Sequence, residues 1–218
     1  MRNVVKTIKE RCGQCYSCVL NCPVKAVKIS NGQAEVIQER CIQCGNCVKI
    51  CARHAKSVMS GIEHTKELVQ KGAVAAILAP SFPAALPYSS GELIGRLKQL
   101  GFQEVWEVAV GAELVAQEYQ SLNMDKGPFI SSACPAVVNL VELHYPRLIP
   151  YLVPVVSPAL ATAKLIRQRE KDISIVFIGP CIAKKGELVN GKGLIDEVMT
   201  FEELKCWMDE YQGEWKVE

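Results

Sequence analysis

Cys12-Gly13-Gln14-Cys15-Tyr16-Ser17-Cys18-Val19-Leu20-Asn21-Cys22-Pro23 and Cys41-Ile42-Gln43-Cys44-Gly45-Asn46-Cys47-Val48-Lys49-Ile50-Cys51-Ala52 are two copies of one pattern, offset by 29 residues. Each reads Cys-x2-Cys-x2-Cys-x3-Cys, and together they take eight of the chain's 11 cysteines. The repeat extends past the thiols. Residues 12–29 and 41–58 correspond, each a cysteine loop followed by a short helical and then an extended stretch. Asn31-Gly32, between Ile29 and Val36, is a turn signal joining the two halves.

Thiols at this density serve disulfides, zinc or iron–sulfur clusters. Disulfides suit secreted chains, and Met1–Glu10 is polar and charged rather than a secretory leader. Zinc sites take four ligands in two pairs, not two runs of four. The spacing resembles the ligand runs of a bacterial-type ferredoxin with two [4Fe–4S] clusters. Three thiolates one tight turn apart cap one face of a cubane, and the fourth reaches across to the other cluster. The resemblance therefore implies Cys12, Cys15, Cys18 and Cys51 for one cluster, and Cys41, Cys44, Cys47 and Cys22 for the other. The second run ends in Cys51-Ala52 where the first has Cys22-Pro23. A chain with such a module moves electrons.

The bulk properties narrow the partners. Hydrophobic residues make up 49% and charged residues 22%, ordinary for a globular protein, and the formal net charge of +2 argues against a dedicated nucleic-acid binder. The charge is uneven, with ten Lys and Arg against three Glu in residues 1–60. Two clusters with their thiolates carry negative charge and offset part of that excess. A basic docking face for a soluble, acidic electron carrier or other redox partner is the secondary reading. No apolar run approaches the roughly 20 residues that span a bilayer, so no membrane is expected. Free thiols and oxygen-sensitive clusters lead us to expect a reducing cytoplasm.

Beyond Ser60 the pattern changes. Gly61 to Gly72 reads as a helical connector with Leu68 and Val69 as apolar contacts. Ala73–Ala79, Glu104–Ala109, Pro128–Ser132 and Ile173–Gly179 read as strands. Helices are expected from a Ser90 cap through Leu93, Ile94, Leu97 and Leu100 to Gly101, and over Ala112–Leu122, Pro135–Tyr145, Pro158–Glu170 and Phe201–Tyr211. Short buried strands alternating with helices imply an α/β domain with a mostly parallel sheet. The expected organisation is thus an α+β, ferredoxin-like dicluster module over residues 1–60, followed by that α/β domain over residues 61–218. In such sheets ligands gather at the carboxyl ends of strands. Cys134 follows Phe129–Ser132 and Cys181 follows Ile173–Gly179, so both are placed at strand ends. Pro135 sets Cys134 at a helix start, where backbone N–H groups favour thiolate. Lys184 and Lys185 follow Cys181 closely; Lys185 also reads as a residue of a solvated turn. Cys206 reads as a packing residue within a helix.

The motifs around these residues resemble the [FeFe]-hydrogenase large subunit, over nearly the whole chain. The family's Thr-Ser-Cys-Cys-Pro appears as Ser131-Ser132-Ala133-Cys134-Pro135, and its Met-Pro-Cys-x-x-Lys-x-x-Glu as Gly179-Pro180-Cys181-x-x-Lys184-x-x-Glu187. Its Ala-Pro-Ser step matches Ala79-Pro80-Ser81. The resemblance implies the first part of a domain for the H-cluster, a [4Fe–4S] cluster bridged by cysteine to a di-iron site with CO, cyanide and a dithiolate. It implies Cys134 and Cys181 as cubane ligands, Lys184 and Ser81 as hydrogen-bond partners of cyanide, and Glu187 as the anchor of Lys184. It also places a third motif, with the remaining cysteine ligands, beyond Glu218; the 218-residue chain alone is expected to be inactive.

The departures from the family define the functional expectation. Ala133 stands where catalytic members carry a cysteine that relays protons, and alanine cannot transfer one. The family's Glu-Glu pair appears as Glu118-Tyr119. This pattern resembles the sensory or regulatory members, which keep the cofactor but react slowly and work with a downstream signalling domain or partner. The alternative is a non-catalytic electron-transfer or Fe–S scaffold protein whose hydrogenase-like domain serves interaction. No G-x-G-x-x-G follows a strand, so a flavin or NAD dehydrogenase subunit has little support.

Overall fold

The structure is a computed structural model, and it describes residues 4–122, 127–190 and 193–215. The chain opens with β1 (Val5–Thr7), the helix α1 (Ser17–Leu20) and the hairpin β2 (Val27–Ser30) and β3 (Gln33–Val36), turned at Asn31-Gly32. The second half repeats this with α2 (Asn46–Lys49) and β4 (Lys56–Val58), and β4 returns antiparallel to β1 with Thr7 opposite Lys56. Single 3-10 turns at Lys9–Arg11 and Gln38–Arg40 lead into the two cysteine loops.

After α3 (Ile62–Lys71) comes β5 (Val74–Leu78), whose five residues are all buried. Next are α4 (Phe82–Ala85), α5 (Ser90–Gln99), β6 (Glu104–Glu107) and α6 (Val108–Ser121). The helices α7 (Pro135–His144) and α8 (Pro158–Arg169) precede β7 (Ser174–Gly179). The helix α9 (Lys184–Asn190), β8 (Glu197–Thr200) and α10 (Phe201–Glu210) complete the chain. Among the described residues no helix is long and apolar enough to cross a membrane.

Two compact units emerge. The first comprises residues 1–59, 127–154 and 181–189; the second comprises 60–126, 155–180 and 190–218. The second is the α/β unit. Its four strands are all parallel in the order β6-β5-β7-β8, so chain order reverses direction between β5 and β7. At such a switch point the loops leaving two neighbouring strands diverge and leave a crevice at their carboxyl ends. The two loops here are Ala79-Pro80-Ser81 and Gly179-Pro180. Ile77, Leu78, Ile175 and Ile178 fill the sheet's centre at 2% exposure or less.

Several expected elements shift. The helix after Tyr88 is capped by Ser89, whose hydroxyl accepts from the Glu92 N–H, rather than by Ser90. Its Leu93 and Leu97 are buried, whereas Ile94 is exposed. On α3 Thr65 is the fully buried residue, while Leu68 and Val69 are half-buried and Val69 lies against Gly101. The strand expected through Ala109 stops at Glu107. Val108 begins α6, because Gly111 lies against the Pro158 carbonyl and Thr162 of α8, a helix–helix approach that overrides the local β preference of Val-Ala-Val. The strand expected over Pro128–Ser132 reduces to one bridge, Ile130 to Leu152, within the first unit. Cys134 is therefore not at the end of a strand of the parallel sheet. Cys206 is exposed on α10, not packed. Trp207 and Met208 beside it occupy the buried face.

Candidate metal centres

The 29-residue repeat is written into the backbone. Gln14 and Gln43, Tyr16 and Gly45, and Lys25 and His54 all take positive φ at equivalent places. Non-glycine residues rarely do so, and such positions concentrate at functional sites. The first two pairs coil each Cys-x2-Cys-x2-Cys loop, and Lys25 and His54 turn the chain just past the fourth cysteine. The fourth cysteine follows each short helix, where the Ala26 N–H donates to Cys22 Sγ at 3.1 Å and the Ala55 N–H donates to Cys51 Sγ at 3.2 Å. The Gln43 N–H donates to Cys41 Sγ at 3.4 Å.

Cys41, Cys44 and Cys47 line one cavity together with Cys22 from the other run, against apolar walls that include Val5, Val27, Val36 and Ile42. In the companion group Cys18 lies within electrostatic reach of Cys12 and Cys51, and Cys12 of Cys15. All 11 cysteines are free thiols. Among the described residues no three His, Cys, Asp or Glu side chains gather around a single metal ion. A donor set made only of sulfur, with backbone N–H groups aimed at the sulfurs, fits an iron–sulfur cluster.

The thiols are not equivalent. Backbone N–H groups of Ala34 and Gln14 hold Cys12 below the usual thiol range. The Ser17 N–H and hydroxyl do the same for the exposed Cys15. Burial pushes Cys18 and Cys41 upward, and raises Cys47 to about 11. In the last three Lys56 pulls the other way.

The second constellation divides between the units. Ser81 is exposed at the end of β5 in the second unit, while Cys134, Cys181, Lys184 and Glu187 belong to the first. Cys134 is the N-cap of α7, with Pro135 at the first helical position. Cys181 follows Pro180 at the end of β7. Lys184 Nζ donates to both carboxylate oxygens of Glu187, at 2.9 and 3.0 Å, and to the Ala133 carbonyl at 3.4 Å. One ammonium thus ties the Cys181 segment to the residue preceding Cys134. Lys185 is 2% exposed, so it is a buried residue rather than part of a solvated turn.

Both segments pack on the loop of the second cysteine run. Asn139 Nδ2 donates to the Ile42 carbonyl at 3.4 Å, and Leu140 rests on Val24, Ala26 and Ile42 beside Cys22 and Cys41. A Cβ on Gly45 would meet Ile182 at 3.0 Å, and one on Gly186 would meet Gln43 Oε1. Gly179, where the hydrogenase motif has methionine, faces the Phe177 ring and the Ala79 Cβ closely enough that a side chain there must displace one of them. Sequence reasoning missed three residues of this neighbourhood: Lys56, Gln43 and Asn139. Only Gln43 carried a signal, as a spacer between two cysteines.

The 4Fe-4S dicluster domain family matches residues 5–52. The family described as iron only hydrogenase large subunit, C-terminal domain, matches residues 72–217. The cytosolic Fe-S cluster assembly factor NAR1 of Eremothecium gossypii is 27% identical over 168 residues, covering 69% of this chain and 37% of that protein. The periplasmic [Fe] hydrogenase large subunit of Nitratidesulfovibrio vulgaris is 29% identical over 138 residues, 53% of this chain and 33% of the relative. Iron hydrogenase 1 of Clostridium pasteurianum is 28% identical over 178 residues, 68% of this chain and 31% of the relative. The chain thus spans about a third of the length of these relatives. With its dicluster domain in front and the longer match covering more than half of its residues, the chain belongs to the iron-only hydrogenase large-subunit family.

Proposed function

We propose that this chain binds two [4Fe–4S] clusters and passes electrons between them and a site built around Cys134 and Cys181, as a sensory or regulatory member of its family. The clusters supply the one-electron chemistry, and the chain supplies sulfur, N–H donors and charge. Cys12, Cys15, Cys18 and Cys51 hold one cluster; Cys41, Cys44, Cys47 and Cys22 hold the other. The observation that carries the reading is the cavity shared by Cys22 with the second run, the crossed pattern a two-cluster module requires. Its loop touches the segment after Cys181, through Gly45 with Ile182 and Gln43 with Gly186. The second cluster is therefore the one facing the hydrogenase-like motif.

In the full protein, H-cluster binding would draw on Cys134 and Cys181, with Lys184, fixed by Glu187, as a hydrogen-bond donor. The reaction served is H2 ⇌ 2H⁺ + 2e⁻, and Ala133 makes its proton step slow. The exchanged electrons reach a soluble carrier that docks on the basic first sixty residues, in the cytoplasm, and a downstream signalling domain or partner reads the outcome. Anaerobic reconstitution tests the core of this reading: about eight iron and eight sulfide per chain, a count that follows from two cubanes. One cluster, or stoichiometric zinc, would refute it.

The similarity to an Fe-S cluster assembly factor, over as much of this chain as the similarity to iron hydrogenase 1, is the ground of a second reading: a non-catalytic electron-transfer or Fe–S scaffold protein with a hydrogenase-like interaction domain. Any H2 turnover by the matured full-length protein would exclude it.

A further inference from the structure

Lys56 is 4% exposed, on the strand β4 that follows the second cysteine run. Its ammonium donates to Thr7 Oγ1 at 2.6 Å and to the Ala34 carbonyl at 2.8 Å. The Thr7 hydroxyl in turn donates to the same carbonyl at 2.6 Å. Among the described residues no carboxylate pairs with it. A buried cation compensated only by a hydroxyl and a carbonyl is disfavoured unless other negative charge lies close.

The surroundings supply that charge from both sides. Ala34 packs in one apolar cluster with Cys18 of the first set and with Cys22 and Cys47 of the second. Its N–H faces Cys12. Through the Ala34 carbonyl the Lys56 ammonium is thus one residue removed from thiols of both sets. Lys25, Lys28 and Lys49 are exposed, and solvent ions screen them.

We propose that Lys56 is a shared positioning charge, which raises the reduction potentials of both clusters together and makes the pair a matched acceptor for low-potential electrons. Each cluster takes up one electron from an external one-electron donor. The added negative charge is stabilised by a cation already fixed in a low-dielectric interior, where reorganisation is small. The inference rests on the two-cluster reading above. The iron and sulfide content of the unsubstituted chain tests that reading separately from the potentials.

The test is an EPR-monitored redox titration of the cluster-loaded full chain. Lys56→Gln keeps a hydrogen-bond donor without charge, and Lys56→Met removes both. Lys56→Arg keeps the charge, and Lys49→Gln is the exposed control. We expect both neutral variants to weaken reduction of each cluster by on the order of tenfold, which is about 59 mV for a one-electron couple. Lys56→Arg should stay near the parent values, and Lys49→Gln should move much less than the neutral variants. Unchanged potentials in fully loaded Lys56→Gln and Lys56→Met would overturn the proposal. A shift confined to one cluster would overturn the shared role. Failure of both neutral variants to retain iron and sulfide would also overturn it, by making Lys56 a residue of the fold alone.

Discussion

Truncating Glu187 should unsettle the Cys134–Cys181 region more than its position one turn from Lys184 suggests. The Lys184–Glu187 pair is bidentate, at 2.9 and 3.0 Å, and the two side chains are 12% and 9% exposed. Exposed pairs at this spacing are worth about 0.2–1 kcal/mol. Buried ones behave differently: removing one partner leaves an uncompensated charge and costs about 3–5 kcal/mol. In Glu187→Ala the ammonium keeps the 3.4 Å contact to the Ala133 carbonyl and a little solvent, which places the loss near the lower end, about 3 kcal/mol. Glu187→Gln retains an acceptor without charge and should lose about half of that, since charge-assisted bonds are roughly twice as strong as neutral ones. The double variant Lys184→Met/Glu187→Leu should return to within about 1 kcal/mol of the parent, because apolar replacement removes the desolvation penalty together with the attraction. Anaerobic urea unfolding of the parent, the single variants at each position and the double variant, at matching m-values, gives the coupling energy directly. A coupling under about 0.5 kcal/mol, the value of a solvated pair, would refute the burial argument.

Three further outcomes follow, two from the geometry and one from the departure at Ala133. In the cluster-free chain Cys47 is raised from 9.0 to about 11 by burial, and Cys18 and Cys41 are raised in the same direction. Between those values the unfolded thiol releases its proton while the folded one keeps it, so stability should fall as pH rises from about 9 to about 11; a flat or rising stability curve contradicts this. Gly179→Met, which restores the residue of the hydrogenase motif, meets Phe177 and Ala79 and should destabilise by about 1–3 kcal/mol, read as a lower urea midpoint. If the full-length protein turns over H2 as proposed, Ala133→Cys should speed H2 evolution, general acid–base transfer being worth about 10²–10⁴-fold. An unchanged rate at equal cofactor occupancy would remove proton access as the bottleneck.

What could be read from the sequence was what chemistry or periodicity writes locally. Ligand spacing announces the two cysteine runs, and the unbroken apolar runs at Val74–Leu78 and Ser174–Gly179 announce central parallel strands. The remainder depends on contacts distant in sequence. The strand β8 begins at the buried Glu197, whose carboxylate takes the His64 ring at 2.9 Å, so its first residue reads as surface until that partner is known. The segment 128–132 has strand composition but no sheet neighbour beyond one bridge, since residues 127–154 pack with the cysteine module instead. Lys56 is the sharpest case. A lysine defaults to solvent, and only the register of β4 on β1 sets it opposite Thr7 and under Ala34. The hydrogenase-like motifs, and with them the pairing of Lys184 with Glu187, were legible as residue patterns, whereas the contact from Lys184 to the Ala133 carbonyl became visible only in three dimensions.

The crossed ligand sets are the centre of this account, and one iron count tests them. In a chain carrying Cys41→Ala, Cys44→Ala and Cys47→Ala, only the first cluster can form, and its fourth ligand should be Cys51 rather than the nearer-in-sequence Cys22. Adding Cys22→Ala to that background should leave about four irons per chain after anaerobic reconstitution, and adding Cys51→Ala should abolish them. The opposite result, with loss on Cys22→Ala and retention on Cys51→Ala, would contradict the crossed arrangement and the two-cluster reading built on it.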